Sequence, residues 1–236
     1  RLNNTFISDT PLAQAKLRYI NKRLGLGLTY NDLIDNKITL GLKDILSSNH
    51  INNLTRHPNI VEQLDQGFIG FISQDNAFIN MRNLIQGKVD KSIDLRYVNY
   101  NIFGKFENTM RYYTLPTTID LCRTDRIKIH VAEGPFDILS IFYNLRGANK
   151  DNSIYSSILG SSYINICKHF INTLKLVNIE LHVYIDADIS ISVVNQLRDI
   201  CYVFQIPFYL HRNMKPGQKD FGVSLDKIRE QQERVI

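Results

Sequence analysis

The 236-residue sequence predicts an α+β N-terminal subdomain over residues 1–124, followed by an α/β domain over 125–236 built on a parallel sheet. Three observations predict it. Amphipathic helical patterns occupy residues 10 to about 66. Short aromatic and β-branched runs, parted by turn formers, occupy 67–116. From 126 onward strand-like and helix-like stretches alternate, the signature of parallel strands joined by crossover helices.

The first helix is expected over 10–26. Thr10 caps it, Pro11 suits its first position and Gly25 stops it. "TYNDLIDNKI" reads as a short second helix capped by Thr29, "LKDILSS" as a third, and 57–66 as a fourth. "GFIGFIS", "AFINMRNL", "DLRYVNYNIF" and "MRYYTLP" then read as one small antiparallel sheet, with Asp75-Asn76 in a turn. "RIKIHVAE", "SIYSSILG", "IELHVYIDAD" and "IPFYLHR" are the expected parallel strands. "PFDILSIFYNLRG", ended by Gly147, "SSYINICKHFINTLKL" and "SVVNQLRDICYVF" are the helices between them.

Composition sets bounds. No stretch is long and apolar enough to predict a membrane span, and "RLNNTFISDT" lacks the layout of a secretory signal. Opening on Arg1 rather than Met, the chain reads as an excised fragment. Cys122, Cys167 and Cys201 are far apart with no C-x-x-C. That argues against a zinc site or a disulfide scaffold, for a reduced cytoplasmic setting, and for three buried thiols. The net charge is +5. Residues 1–124 hold 15 Lys+Arg against 11 Asp+Glu, and 125–236 hold 13 against 12, so the excess lies in the first half. This permits a polyanionic partner and equally fits a mildly basic surface.

In parallel sheets ligands gather at the carboxyl ends of strands, and the acids cluster at two such ends. Glu133 and Asp137 follow the first strand in "VAEGPFD". Each has a simple reading as a favourable charge at a helix start. That reading is weaker for Glu133, where an apolar run leads into the acid and unpaired burial would be costly. Asp186 and Asp188 follow the third strand in "YIDAD". Two residues apart in extended backbone they share one side, and two such carboxylates repel unless a cation sits between them. Hard oxygen donors at a strand end suit Mg²⁺ or Mn²⁺. Past the last strand, "KPGQKDFG" adds Lys215, Lys219 and Asp220, either a solvated turn or an outer metal ligand with phosphate-binding lysines. His130 and His182 read as core histidines, while His50, His57, His169 and His211 carry no pattern.

E-G-x-x-D after a first strand and D-x-D after a third resemble the TOPRIM family, shared by bacterial-type primases, topoisomerases and some nucleases. The resemblance covers residues 126–236 and rests on Glu133, Gly134, Asp137, Asp186 and Asp188. It implies a Rossmann-like fold. "KDFGVS" departs from the family's usual end by lacking a second close acid. Upstream, Arg82 in "NMRNL" and Arg96-Tyr97-Val98-Asn99 resemble the basic strand end and K-Y-x-N segment of a bacterial-type primase core. Arg there replaces Lys, and Lys105 stands for a later lysine. As a whole the chain most resembles a phage-encoded primase without its zinc-binding module.

The resemblance implies primer synthesis from ribonucleoside triphosphates on a single-stranded DNA template, in the host cytoplasm, alongside a replicative helicase. Glu133, Asp186 and Asp188 would be the catalytic acids holding one or two Mg²⁺ or Mn²⁺ ions. Asp137 and Asp220 would support a second ion, and Asp137 stays open between that role and a first-turn charge. Arg82, Arg96, Asn99, Lys105, Lys215 and Lys219 would hold nucleotide or template. Tyr97 and Tyr100 read first as sheet aromatics and second as base-stacking platforms. The rivals are a TOPRIM nuclease and a primase-like DNA-binding accessory. A topoisomerase would need further domains, and no G-x-x-x-x-G-K-[ST] occurs to mark an ATPase partner domain.

Overall fold

The computed structural model describes residues 2–51, 58–84, 96–101, 111–147, 152–160, 162–174 and 177–236. The chain is a mixed α/β protein with a four-stranded and a six-stranded sheet. It forms two compact units: Arg1–Lys22 with Gly27–Thr109, and Arg23–Leu26 with Met110–Ile236.

In the first unit α1 (Pro11–Leu24) starts where Thr10 Oγ1 accepts the Ala13 N–H, and Gly25 ends it with φ +66°. α2 (Tyr30–Asp35) carries a full capping box between Thr29 and Asp32. β1 (Ile38–Thr39), α3 (Leu42–Ser48), α4 (Pro58–Gly67), β2 (Phe68–Ile72), β3 (Phe78–Asn83) and β4 (Tyr97–Asn101) follow. The strands pair antiparallel in the order β1-β2-β3-β4, with Phe71 opposite Ile38 and Arg82 opposite Tyr97. Leu42, Ile45, Val61, Leu64, Phe68, Ile79 and Met81 form the core. Lys16 is also buried, and its ammonium donates to the carbonyls of Leu40, Asp65 and Phe68. Burial pushes its pKa down to about 8, with Asp65 and Asp44 pulling the other way.

In the second unit β5 (Tyr113–Thr114), β6 (Ile127–Ala132), α5 (Pro135–Ser140), β7 (Ser153–Ser157), α6 (Tyr163–Thr173), β8 (Ile179–Ile185), α7 (Ile191–Val203), β9 (Phe208–Asn213) and β10 (Glu230–Arg234) build the larger sheet. Its order is β10-β9-β8-β6-β7-β5. β6, β7, β8 and β9 run parallel, and β5 and β10 add antiparallel edges, so the sheet is mixed rather than wholly parallel. The "MRYYTLP" strand pairs with β7, not with the first sheet, because Tyr113 buries fully opposite Ser157. The expected boundary at 124/125 falls within the unit that holds Arg23–Leu26 and Met110–Ile236.

The two faces of this sheet differ. On one, Ile127, Ile129, Val131, Leu181 and Val183 pack with Ile166, Phe170, Leu197 and Cys201 of α6 and α7. On the other, rings stack strand to strand: His130 with Tyr155, His182 with Tyr209, and Tyr184 with His211. His130 and His182 are core histidines, as expected, and His211 joins them. Burial pushes His182 down to about 4 against the pull of Glu180. The helix after β6 turns π-helical over Ile141–Arg146, where Gly147 N–H donates to Phe142 O. This sets Phe142 edge-on against Tyr155. Cys167 and Cys201 are buried, with thiols pushed up by burial, but Cys122 is exposed, contrary to expectation, in a polar turn. Among the described residues no helix is long and apolar enough to cross a membrane.

Candidate functional site

The carboxyl ends of β6 and β8 carry the acids. Glu133 follows Ala132 and is exposed, so the cost of burying it plays no part. Asp137 is the buried one, at 8% exposure. Its Oδ2 accepts the Gly134 N–H at 2.9 Å, which makes it a cap of α5. Its Oδ1 faces Gly222, where a Cβ would lie 2.9 Å away, so this approach needs glycine. Burial and then Asp220 push Asp137 up to about 7, opposed by the Gly134 hydrogen bond and by Arg23.

Asp186 is half-buried just past β8, and Asp188 is exposed two residues on, in a turn rather than the extended backbone expected to put both on one side. Burial raises Asp186 to about 8, followed by the charges of Asp137, Glu133, Asp220 and Asp188. Asp220 caps its own loop by accepting the Gly222 N–H at 3.0 Å. That loop meets the D-x-D segment through Ala187 N–H to Lys219 O at 3.2 Å. Lys215 and Lys219 are exposed on it. The five expected acids thus share one electrostatic neighbourhood. Their donor chemistry suits a hard divalent ion, and mutual repulsion is what such an ion relieves. Among the described residues, however, no three His, Cys, Asp or Glu side chains form a group able to hold a metal. The fit is one of donor type and charge.

Two neighbours of this cluster carry no sequence signal. Arg23 donates from Nε to Gly222 O at 2.8 Å and lies 4.2 Å over the Phe136 ring. Tyr163 donates to Tyr184 O at 2.9 Å, and burial, then Asp186, Asp137 and Glu133, push its phenol up.

In the first unit a polar stripe crosses β3 and β4. The Arg82 guanidinium lies 5.0 Å over the Tyr97 ring, and Tyr97 is 43% exposed, so it is not a core aromatic. Tyr100 packs on the core. Arg96 is exposed beside the strand. Arg82 Nε donates to Asn80 Oδ1, and Asn80 Nδ2 to Asn99 Oδ1, both at 2.8 Å. Asn80 is fully buried and carried no signal beyond strand alternation. Lys105 lies outside the described residues. No family model, curated protein or solved structure matches this chain.

Proposed function

We propose that the chain is the catalytic core of a DNA primase with a TOPRIM-type α/β domain, joining ribonucleotides on single-stranded DNA. The observation that carries this reading is Asp186 raised to about 8 by burial and by four further carboxylates at strand ends. So many acids on one rim are unfavourable without a cationic ligand.

Glu133, Asp186 and Asp188 would hold the first divalent ion, Mg²⁺ or Mn²⁺, and Asp137 and Asp220 would support a second. When bound, such an ion supplies the charge neutralisation that phosphoryl transfer demands. The protein residues do the rest. Gly134 N–H holds Asp137 in place, the Arg23 charge favours its ionised form, and the Ala187–Lys219 contact sets the lysine loop beside the D-x-D segment. Lys215 and Lys219 would meet the triphosphate as point charges. Arg82, Arg96, Tyr97 and Asn99 would hold nucleotide or template strand. The primer product, a helicase partner and a cytoplasmic setting belong to the same reading.

The test is incubation with single-stranded DNA, labelled ribonucleotides and Mg²⁺ or Mn²⁺. New oligoribonucleotides that vanish in Asp186→Asn, with folding retained, are expected. Full activity in that variant would end the proposal. A shortened template would make the chain a nuclease, and binding without either product an accessory.

A further inference from the structure

We propose that Asn80 is a positioning residue that fixes the hydrogen-bonding polarity of the β3–β4 stripe, so that Asn99 presents its NH₂ group outward to acceptor oxygens of a single-stranded nucleic acid. The proposal rests on the nucleic-acid reading of this stripe and deepens it by naming what sets its recognition.

A guanidinium only donates, so the Asn80 atom 2.8 Å from Arg82 Nε must be Oδ1. The other end of that carboxamide is then NH₂, a donor, 2.8 Å from Asn99. The Asn99 atom receiving it must be Oδ1, which turns the Asn99 NH₂ away from Asn80. No alternative flip satisfies both contacts. Asn80 is fully buried, so neither of its polar ends has water as a substitute partner. Asn99 is half-buried, and its NH₂ has no acceptor among the described residues. Beside the Asn99 carboxamide NH₂ the stripe carries the exposed Tyr97 ring, with the Arg82 guanidinium held over that ring. Phosphate and base carbonyl oxygens accept such hydrogen bonds, and base faces stack on such rings. A ligand that can only donate hydrogen bonds finds no partner in the Asn99 NH₂.

The experiment has two arms. In ¹⁵N-labelled protein the Asn80 NH₂ is expected to be protected from exchange with water and the Asn99 NH₂ to exchange freely; the reverse pattern overturns the proposal. In fluorescence anisotropy with a labelled oligo-dT, Asn80→Leu and Asn99→Leu are each expected to weaken binding roughly three- to tenfold. Asn99→Asp, which still accepts from Asn80 but turns an anionic oxygen outward, is expected to weaken it further than Asn99→Leu. Should Asn80→Leu unfold, the two Asn99 variants carry the test. Binding equal to the unmodified protein in all variants overturns the proposal and leaves the nucleic-acid reading standing. Absence of strand binding by the unmodified protein overturns both.

Discussion

Asp186 carries a conflict that its neighbours do not resolve. Its carboxyl is raised to about 8 by burial and then by Asp137, Glu133, Asp220 and Asp188, and Asp137 is raised to about 7. Between the ordinary carboxylate value and these raised values the folded state holds protons that the unfolded chain has released. Stability contributed by the protonated carboxyl is thus present at low pH and is lost as pH rises through that window. Asp186→Asn removes the group and its penalty. The variant is expected to match the unmodified protein near pH 4. It should exceed it by about 1–2 kcal/mol near pH 9, the shift being discounted for solvent screening. Urea unfolding at the two pH values without divalent ions checks this. An equal difference at both would show that the acids are not coupled. Added stability together with lost primer synthesis is the pattern of a residue kept for function.

At the scale of elements, β10 shows how a strand is held without apolar side chains. "EQQER" pairs along β9 from Glu230 opposite Asn213 to Arg234 opposite Tyr209. Its one partly buried anchor is Glu230, which meets Arg146 and accepts from His211 Nδ1 at 2.6 Å. His211 Nε2 meets His182 Nδ1 at 2.8 Å, and His182 Nε2 meets Glu180 at 3.0 Å. Burial raises Glu230, but the His211 hydrogen bond and the Arg146 charge outweigh it and hold its pKa below the ordinary value. His211→Ala breaks two contacts at once and strands buried polar atoms on both sides. A loss of about 2–4 kcal/mol is expected. Urea unfolding that registers under about 0.5 kcal/mol would mean that the relay does not secure the edge.

The same strand shows where sequence reading stops. β6 and β8 were legible because one face of each is an unbroken apolar row, and the acids were legible because they follow those strands directly at their carboxyl ends. β10 has no alternation to find, and β5 is legible as a strand in "MRYYTLP" but not in its pairing, because its partner β7 lies some forty residues along the chain. Pairing distant in sequence also explains Asn80 and Arg23. Their roles come from Asn99 and Gly222, which no local spacing connects to them.

For the whole molecule, charge governs any encounter with a polyanion. The net charge is +5, and residues 1–124 hold 15 Lys+Arg against 11 Asp+Glu while 125–236 are nearly balanced at 13 against 12. So weak an excess gives no strong general attraction for a polyanion, and the proposed strand binding would have to come from placed cations. Four are named in the described residues: Arg82, Arg96, Lys215 and Lys219. Each phosphate neutralised on a single strand contributes about 0.7 to the slope of log affinity against log salt, so four predict a slope near −3. Anisotropy titrations of oligo-dT over roughly 50–300 mM KCl measure it, within the range where counterion release dominates. Replacing Arg82 with Gln is expected to flatten the slope by about 0.7 while weakening all strand sequences alike. A slope near zero would mean that phosphates are not the contact. A slope twice as steep would mean that cations beyond these four contact the strand.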